Sequence, residues 1–248
     1  MKNLAIIPAR SGSKGLKNKN IKLLNGIPLM AYSIKAAQES GMFDEIMVST
    51  DSLEYAEIAK KYGANVPFFR SERLSNDQAS SWDVVIEVLQ CYQKLGYVFD
   101  TVCLLQPTSP LRTADDIVGG YNLLRSKHAD AVTSVCEVEH SPLWCMALGE
   151  DLSLEHFYKN LQDAPRQNLP VFYSLNGALY IKHVYYRGDN LCLCEESNFA
   201  YIMPRERSVD IDVLTDFLYA EQMLKMSSRG GYGEIINMYT STVLGRCA

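Results

Sequence analysis

No apolar run in the chain approaches the roughly 18 residues that a membrane-spanning helix needs. The opening Met1-Lys2-Asn3-Leu4-Ala5-Ile6-Ile7 is also too short an apolar stretch for a signal peptide, so a cytoplasmic protein without a membrane partner is expected. An excess of positive charge is missing as well. With 24 Lys and Arg against 29 Asp and Glu, the net charge of -5 argues against a broad nucleic-acid surface, while leaving room for a local basic pocket. The 7 cysteines are odd in number and scattered, and Cys192-Leu193-Cys194 has no second Cys or His pair at zinc-site spacing. Reduced thiols are the expectation. Ser80 has no His-Asp partner at a readable spacing, which excludes a serine-hydrolase triad, and His140 and His156 receive no role. Neither GxxxxGK[ST] nor GxGxxG is present, so neither a Walker A loop nor a dinucleotide fingerprint accounts for the glycines.

What the chain does have suits one α/β domain: 248 residues, 47% hydrophobic and 21% charged. Lys2 to Pro8 reads as a buried strand. Pro28 to Glu39 carries Leu29, Ile34, Ala36 and Ala37 at helical spacing and stops at Gly41. Glu45 to Thr50 is a second strand, and Asp51-Ser52 opens a helix through Lys61. Val66 to Phe69 is expected as a short third strand. A helix over Ser80 to Leu95 and a strand over Thr101 to Leu105 follow, then a rigid loop, Gln106-Pro107-Thr108-Ser109-Pro110. Thr113 caps a helix to Arg125, and Ala131 to Val135 is a further strand. This alternation implies βαβ units and a mainly parallel sheet whose ligand cleft lies beyond the strands' carboxyl ends. From Glu137 to Phe172 prolines and polar residues break the pattern, which reads as a lid or an oligomerisation arm. Gly177 to Lys182 and Phe199 to Met203 return to strand character, and Val213 to Met226 closes the domain as a helix. Residues 1–226 thus form the domain, with 137–172 inserted, and 227–248 a tail without an assigned role.

The segment Pro8 to Asn20 holds Arg10, Lys14, Lys17 and Lys19, with Gly12 and Gly15, and no acidic residue. Glycines let backbone amides approach an anion, and the cations supply the countercharge a triphosphate requires. A solvated basic loop is the plain alternative; the position directly after the first strand favours phosphate binding. Asp210 and Asp212 stand two apart in Ser208-Val209-Asp210-Ile211-Asp212, so an extended backbone projects both carboxylates from one face. Such a pair suits Mg²⁺, which takes one or two carboxylates plus phosphate oxygens. The alternative is acids that favour the following helix through its dipole. Asn176-Gly177 reads equally as a turn or as part of a site, and Gln106, at a strand's carboxyl end, is placed to face a ligand.

These segments together resemble the acylneuraminate cytidylyltransferases, the CMP-sialic acid synthetases. The likeness rests on Ile7-Pro8-Ala9-Arg10-Ser11-Gly12-Ser13-Lys14-Gly15 with Lys19-Asn20, Ser49-Thr50-Asp51, Asp77-Gln78-Ala79-Ser80-Ser81, Leu105-Gln106-Pro107-Thr108-Ser109-Pro110-Leu111-Arg112, Asn176-Gly177-Ala178-Leu179-Tyr180 and Ser208-Val209-Asp210-Ile211-Asp212. They fall in the family's order over about residues 3 to 226.

The resemblance implies a three-layer, mainly parallel twisted sheet of Rossmann-like nucleotidyltransferase type with a small protruding dimerisation segment. It implies attack by the anomeric hydroxyl of an acidic nine-carbon sugar on the α-phosphorus of CTP, releasing pyrophosphate. By motif, Arg10 and Lys19 would carry transition-state charge. Ala9, Ser13, Asn20 and Ser81 would contact the nucleotide, and Arg70 with Ala79 the cytosine. Asp210 and Asp212 would bind Mg²⁺, with Mn²⁺ able to substitute, which makes Asp212 part of the catalytic set. Gln106, Asn176 and Tyr180 would line the sugar site, and Arg166 would reach it from the partner of a homodimer. Trp144 and Ser174 stand where some family members carry lysine and arginine. That departure brings legionaminic or pseudaminic acid, and GTP in place of CTP, into consideration beside N-acetylneuraminic acid. A non-catalytic nucleotide-binding protein is the rival class.

Overall fold

The computed structural model describes residues 1–13, 15–76, 78–154, 169–188 and 190–228. Arg166 and the stretch 229–248 lie outside the described residues, as do Lys14 and Asp77. In chain order the elements are β1 Asn3–Pro8, β2 Leu23–Leu24, β3 Ile27–Pro28, α1 Leu29–Ser40, β4 Glu45–Ser49, α2 Leu53–Lys61 and α3 Ser81–Lys94. They continue with β5 Thr101–Leu104, α4 Ala114–Ser126, β6 Ala131–Glu137, β7 Tyr173–Arg187, β8 Asn190–Leu193, β9 Asn198–Ile202 and α5 Leu214–Ser228.

Among the described residues the main sheet has seven strands in the order β4-β1-β5-β7-β6-β9, with β8 paired to β7. β1 pairs in parallel with β4 and β5, and β6 with β9, whereas β7 is antiparallel to each of its neighbours. One reversed strand therefore sits in an otherwise parallel sheet, as expected for the fold class. Period-two alternation sorts the strand residues between two cores. Ala5, Ile7, Val48, Cys103, Leu179 and Ile181 face α1, α2 and α4, while Leu4, Ile6, Met47, Val102 and Leu104 face α3. The helix patterns match: α3 buries Val84, Val85, Val88, Leu89 and Tyr92 at helical spacing. Each such side chain contributes about 1.5–3 kcal/mol of burial, which makes this stripe the main restraint on α3. Three layers result.

The helix starts follow their caps. Ser52 Oγ accepts from the Tyr55 amide at 3.4 Å, and Thr113 forms a capping box with Asp116. Two expectations need correction. Val66 to Phe69 is not a strand: Asn65 forms an isolated bridge to Met47, and Pro67, which has no amide donor, prevents the ladder from continuing. The Asn176-Gly177 pair is not a turn but lies inside the 15-residue β7, at the register shift where Thr133 and Val135 of β6 pair with Tyr180 and Leu175. The Asn-Gly turn that does form is Asn25-Gly26, with φ of 47° and 78°, which joins β2 to β3. Six described cysteines are free thiols, and Cys103 is fully buried.

Candidate active site

The carboxyl ends of β1, β4 and β5 open onto a cleft of about 510 Å³. Its wall includes Arg10, Ser13, Gly15, Lys19 and Asn20 from the loop after β1, Arg70 and Asn76 from the connection before α3, and Ala79 and Ser81 at the start of α3. Gln106, Pro107 and Thr108 after β5 and Asp212 before α5 complete it. Elements more than 190 positions apart in sequence thus meet in one concavity.

The basic loop is held in shape from both sides. The Ala9 amide donates to the Ser49 carbonyl at 2.8 Å, which extends the β1–β4 ladder and leaves Ala9 fully buried behind the wall. The Ser11 amide and hydroxyl donate to the two Asp51 carboxylate oxygens at 2.8 and 3.0 Å. Asn20 is 6% exposed and its Nδ2 donates to the Arg10 carbonyl at 3.0 Å, so this side chain braces the loop at least as much as it faces the cleft.

On the far side the loop rests on the acidic segment. Lys19 Nζ donates to the Ile211 carbonyl at 2.5 Å and lies 3.2 Å from the Asp212 carboxylate. A Cβ on Gly15 would stand 2.7 Å from the Asp212 carbonyl oxygen, so this approach tolerates no side chain. The Ile211 amide in turn donates to the Thr108 carbonyl at 2.8 Å.

The acidic segment also settles which carboxylate serves the helix. Asp216 Oδ2 accepts from the Asp212 and Val213 amides, both at 2.9 Å, and thereby satisfies the entry to α5. Asp212, its side chain 78% exposed, is left toward the cleft with Lys19. Asp210 is exposed as a residue, yet its carboxyl is locally buried beside Thr108 and Gly177. That burial, together with the nearby Asp212 charge, raises its pKa, while the Thr108 hydrogen bond and Lys19 pull it back. Among the described residues no group of three or more His, Cys, Asp or Glu could hold a metal. Two oxygen donors that repel one another, with the basic loop opposite, do suit a hard cation that completes its shell from a ligand.

Other expected residues divide. Arg70 is 8% exposed; its Nε and Nη2 donate to the Ser49 hydroxyl and carbonyl at 3.1 and 2.7 Å, and burial pushes its pKa down to about 10. It presents a fixed guanidinium at the cleft wall. Ser80 caps α3, accepting from the Asp83 amide at 3.1 Å, so Ser81 stands at the amide-rich first turn, where an anion is favoured. Tyr180 lies on β7 beyond the cleft wall, edge-on to Trp82 with ring centroids 6.1 Å apart; burial, then the neighbouring Asp210, raises its pKa.

Asn176 is buried between β6 and the start of the acidic segment. Its Oδ1 accepts from Ser134 Oγ at 2.6 Å and its Nδ2 donates to Ser208 Oγ at 2.9 Å, which ties β6 and β7 to the start of the acidic segment. At 3% exposure the Asn176 amide is thus engaged within the protein. Asn76 and Thr108 were not anticipated on the wall. Thr108 was findable, since it shares the rigid loop of Gln106 at the end of β5.

Comparison with known proteins follows this geometry. Residues 4–146 match the family model described as Cytidylyltransferase. The chain is 36% identical over 230 residues to CMP-N,N'-diacetyllegionaminic acid synthase of Legionella pneumophila, covering 92% of this chain and 98% of that one. It is 33% identical over 238 residues to pseudaminic acid cytidylyltransferase of Campylobacter jejuni, covering 94% and 100%. N-acylneuraminate cytidylyltransferase of Escherichia coli is 36% identical over 229 residues, which are 92% of this chain but 53% of that longer protein. The fold is shared with the CTP complex of CMP:2-keto-3-deoxy-manno-octonic acid synthetase, at a TM-score of 0.65 and 13% identity, over 92% of this chain and 100% of that one.

Proposed function

The chain belongs to the cytidylyltransferase family, and from that premise we propose that it activates a nonulosonic acid with CTP, giving the CMP-sugar and pyrophosphate. The observation that carries this reading is the junction of the basic loop with Asp212, which puts a cluster of cations and the Asp212 carboxylate on one cleft.

In this reading the anomeric hydroxyl oxygen forms a bond to the α-phosphorus as the bond from that phosphorus to the bridging oxygen of the leaving pyrophosphate breaks. Arg10 and Lys19 stabilise the charge that spreads over the phosphoryl oxygens, from a site already organised before the substrate arrives. Ser13 and the first-turn amides beside Ser81 hold the phosphate chain. Arg70, clamped on Ser49, and Ala79 border the base. Asp210 and Asp212 would hold Mg²⁺, or Mn²⁺ in its place, which supplies phosphate neutralisation and acidifies the attacking hydroxyl. Gln106 and Tyr180 stand on the sugar side.

Among the sugars, N-acetylneuraminic acid and its close relatives share one carbon skeleton. Trp144 and Ser174, where some family members carry cations, favour legionaminic or pseudaminic acid as the second reading. Ser174 Oγ lies 3.7 Å from Cys136 Sγ, a neutral environment. The functional unit is proposed to be a homodimer formed through the 137–172 arm, supported by the exposed Leu143, Met146, Leu148 and Val171 at its described ends. A cytoplasmic setting is proposed with it; among the described residues no helix is long and apolar enough to cross a membrane.

The test is pyrophosphate release with CTP or GTP crossed against these sugars, with and without Mg²⁺. Release from CTP only when sugar and Mg²⁺ are both present is the expected result. CTP binding by calorimetry without turnover on any sugar would instead indicate a non-catalytic nucleotide-binding protein.

A further inference from the structure

Arg112 has an environment that stability alone does not explain. The side chain is 3% exposed, and among the described residues it forms no ion pair. Its acceptors are neutral: Nη1 donates to the Ala178 carbonyl at 2.7 Å and the Gln106 carbonyl at 3.4 Å, and Nη2 donates to Ser33 Oγ at 2.5 Å. Ser33 Oγ also donates to the Gln106 carbonyl, at 3.3 Å. The Arg112 Nε is buried without an acceptor. A buried cation whose hydrogen-bond acceptors are all neutral is costly, the Asp116 charge acting on it only through space.

The contacts converge on one place. Ala178 follows Gly177, and a Cβ on Gly177 would stand 2.5 Å from Gln106 Oε1, so the Gln106 carboxamide rests on the bare Gly177 backbone. That same Cβ position lies 3.6 Å from Asp210 Oδ2. Ser109 Oγ donates to the Asn176 carbonyl at 3.3 Å on the other flank. The guanidinium therefore spans the two main-chain segments whose spacing decides where the Gln106 carboxamide sits beside Asp210.

We propose that Arg112 is a positioning residue which acts through Gln106: by clamping the Gln106 and Ala178 carbonyls it holds the Gln106 carboxamide where the acidic sugar binds. The assignment rests on the nonulosonic-acid reading above. Arg112 contacts no ligand position; the nucleotide groups Arg10, Lys19, Arg70 and Ser81 lie on other segments, so loss of the clamp is felt on the sugar side.

The experiment is a double-mutant cycle between Arg112 and Gln106 in the full chain, with steady-state kinetics for both substrates and calorimetry for CTP. Arg112→Lys keeps the charge but cannot span both carbonyls, and Ser33→Ala, which removes one acceptor, is a milder companion should Arg112→Lys not fold. Misplacement of the carboxamide is expected to lower kcat/KM for the sugar about 10- to 100-fold, with the Kd for CTP within about threefold of wild type. In a Gln106→Ala background the same substitution is expected to cost little more, because coupled residues do not add. Additive losses, or CTP affinity falling in parallel with sugar kcat/KM, overturn the assignment. A wild-type chain inactive on every nonulosonic acid overturns the functional reading and this inference with it, whereas an active wild type with additive losses overturns this inference alone.

Discussion

Lys19 Nζ reaches the Ile211 carbonyl at 2.5 Å and the Asp212 carboxylate at 3.2 Å, across a separation of 193 positions between Lys19 and Asp212. This single side chain joins the basic loop after β1 to the acidic segment before α5. The ion pair is open to solvent on the Asp212 side, so its value lies in placement rather than in stability. In the proposed reaction the same ammonium would turn toward the phosphate oxygens.

Asp212→Asn removes one charge of the pair without changing volume. Turnover is expected to fall by at least about 100-fold, as when a preorganised electrostatic group is lost, with circular dichroism unchanged. Raising Mg²⁺ should not restore it. Full activity in this variant would remove Asp212 from the metal assignment.

Gly15→Ala tests the contact between loop and acidic segment. The new methyl would meet the Asp212 carbonyl oxygen at 2.7 Å, and neither backbone has a flexible end that could yield. A loss of about 1–3 kcal/mol from overpacking is expected, read as a lowered Tm and a raised KM for CTP. Unchanged Tm and KM would mean that the two segments move apart freely.

Gly177→Ala combines a φ of +73° with a Cβ 2.5 Å from Gln106 Oε1. Backbone strain of about 1–3 kcal/mol is expected, together with a sugar-side defect as the carboxamide is displaced. The readouts are Tm and the KM values for sugar and CTP; equal changes in both KM values would contradict a sugar-side effect.

Asp210 supplies the pH prediction. Its pKa is raised by burial and then by Asp212, so the folded state binds this proton more tightly than the unfolded chain does. Stability from this group is therefore present at low pH and is lost as pH rises through the raised pKa. In metal-free protein Asp210→Asn should increase Tm at neutral pH, and the difference from wild type should shrink as pH falls below that pKa. Activity should be lost throughout. An Asn variant no more stable than wild type at neutral pH would contradict the sign.

Helical spacing located α1 and α3, because apolar residues recurring at three to four positions report which face is buried; a continuous apolar run located β1, and the Thr113 cap with its first-turn acids located α4. Ser52 and Thr113 were legible as caps for the same local reason: their partners stand three residues away. The crowding of cations and glycines after the first strand marked a loop that lines the cleft.

Relationships between distant segments were not legible. Nothing local tells that Asp216, rather than Asp210 or Asp212, takes the amides entering α5, since all three acids lie within one short stretch. Asn-Gly occurs twice, as a hairpin turn at Asn25-Gly26 and inside a strand at Asn176-Gly177. Only packing between β6, the β5 end and the acidic segment carries the second one through β7, as an irregularity with Gly177 at φ of +73°. The amino-acid order fixed the residue types of the site and the elements that carry them. Which side chain faces the ligand and which braces its neighbour was decided by packing, because a polar group takes whichever partner the tertiary fold leaves within reach once water is excluded.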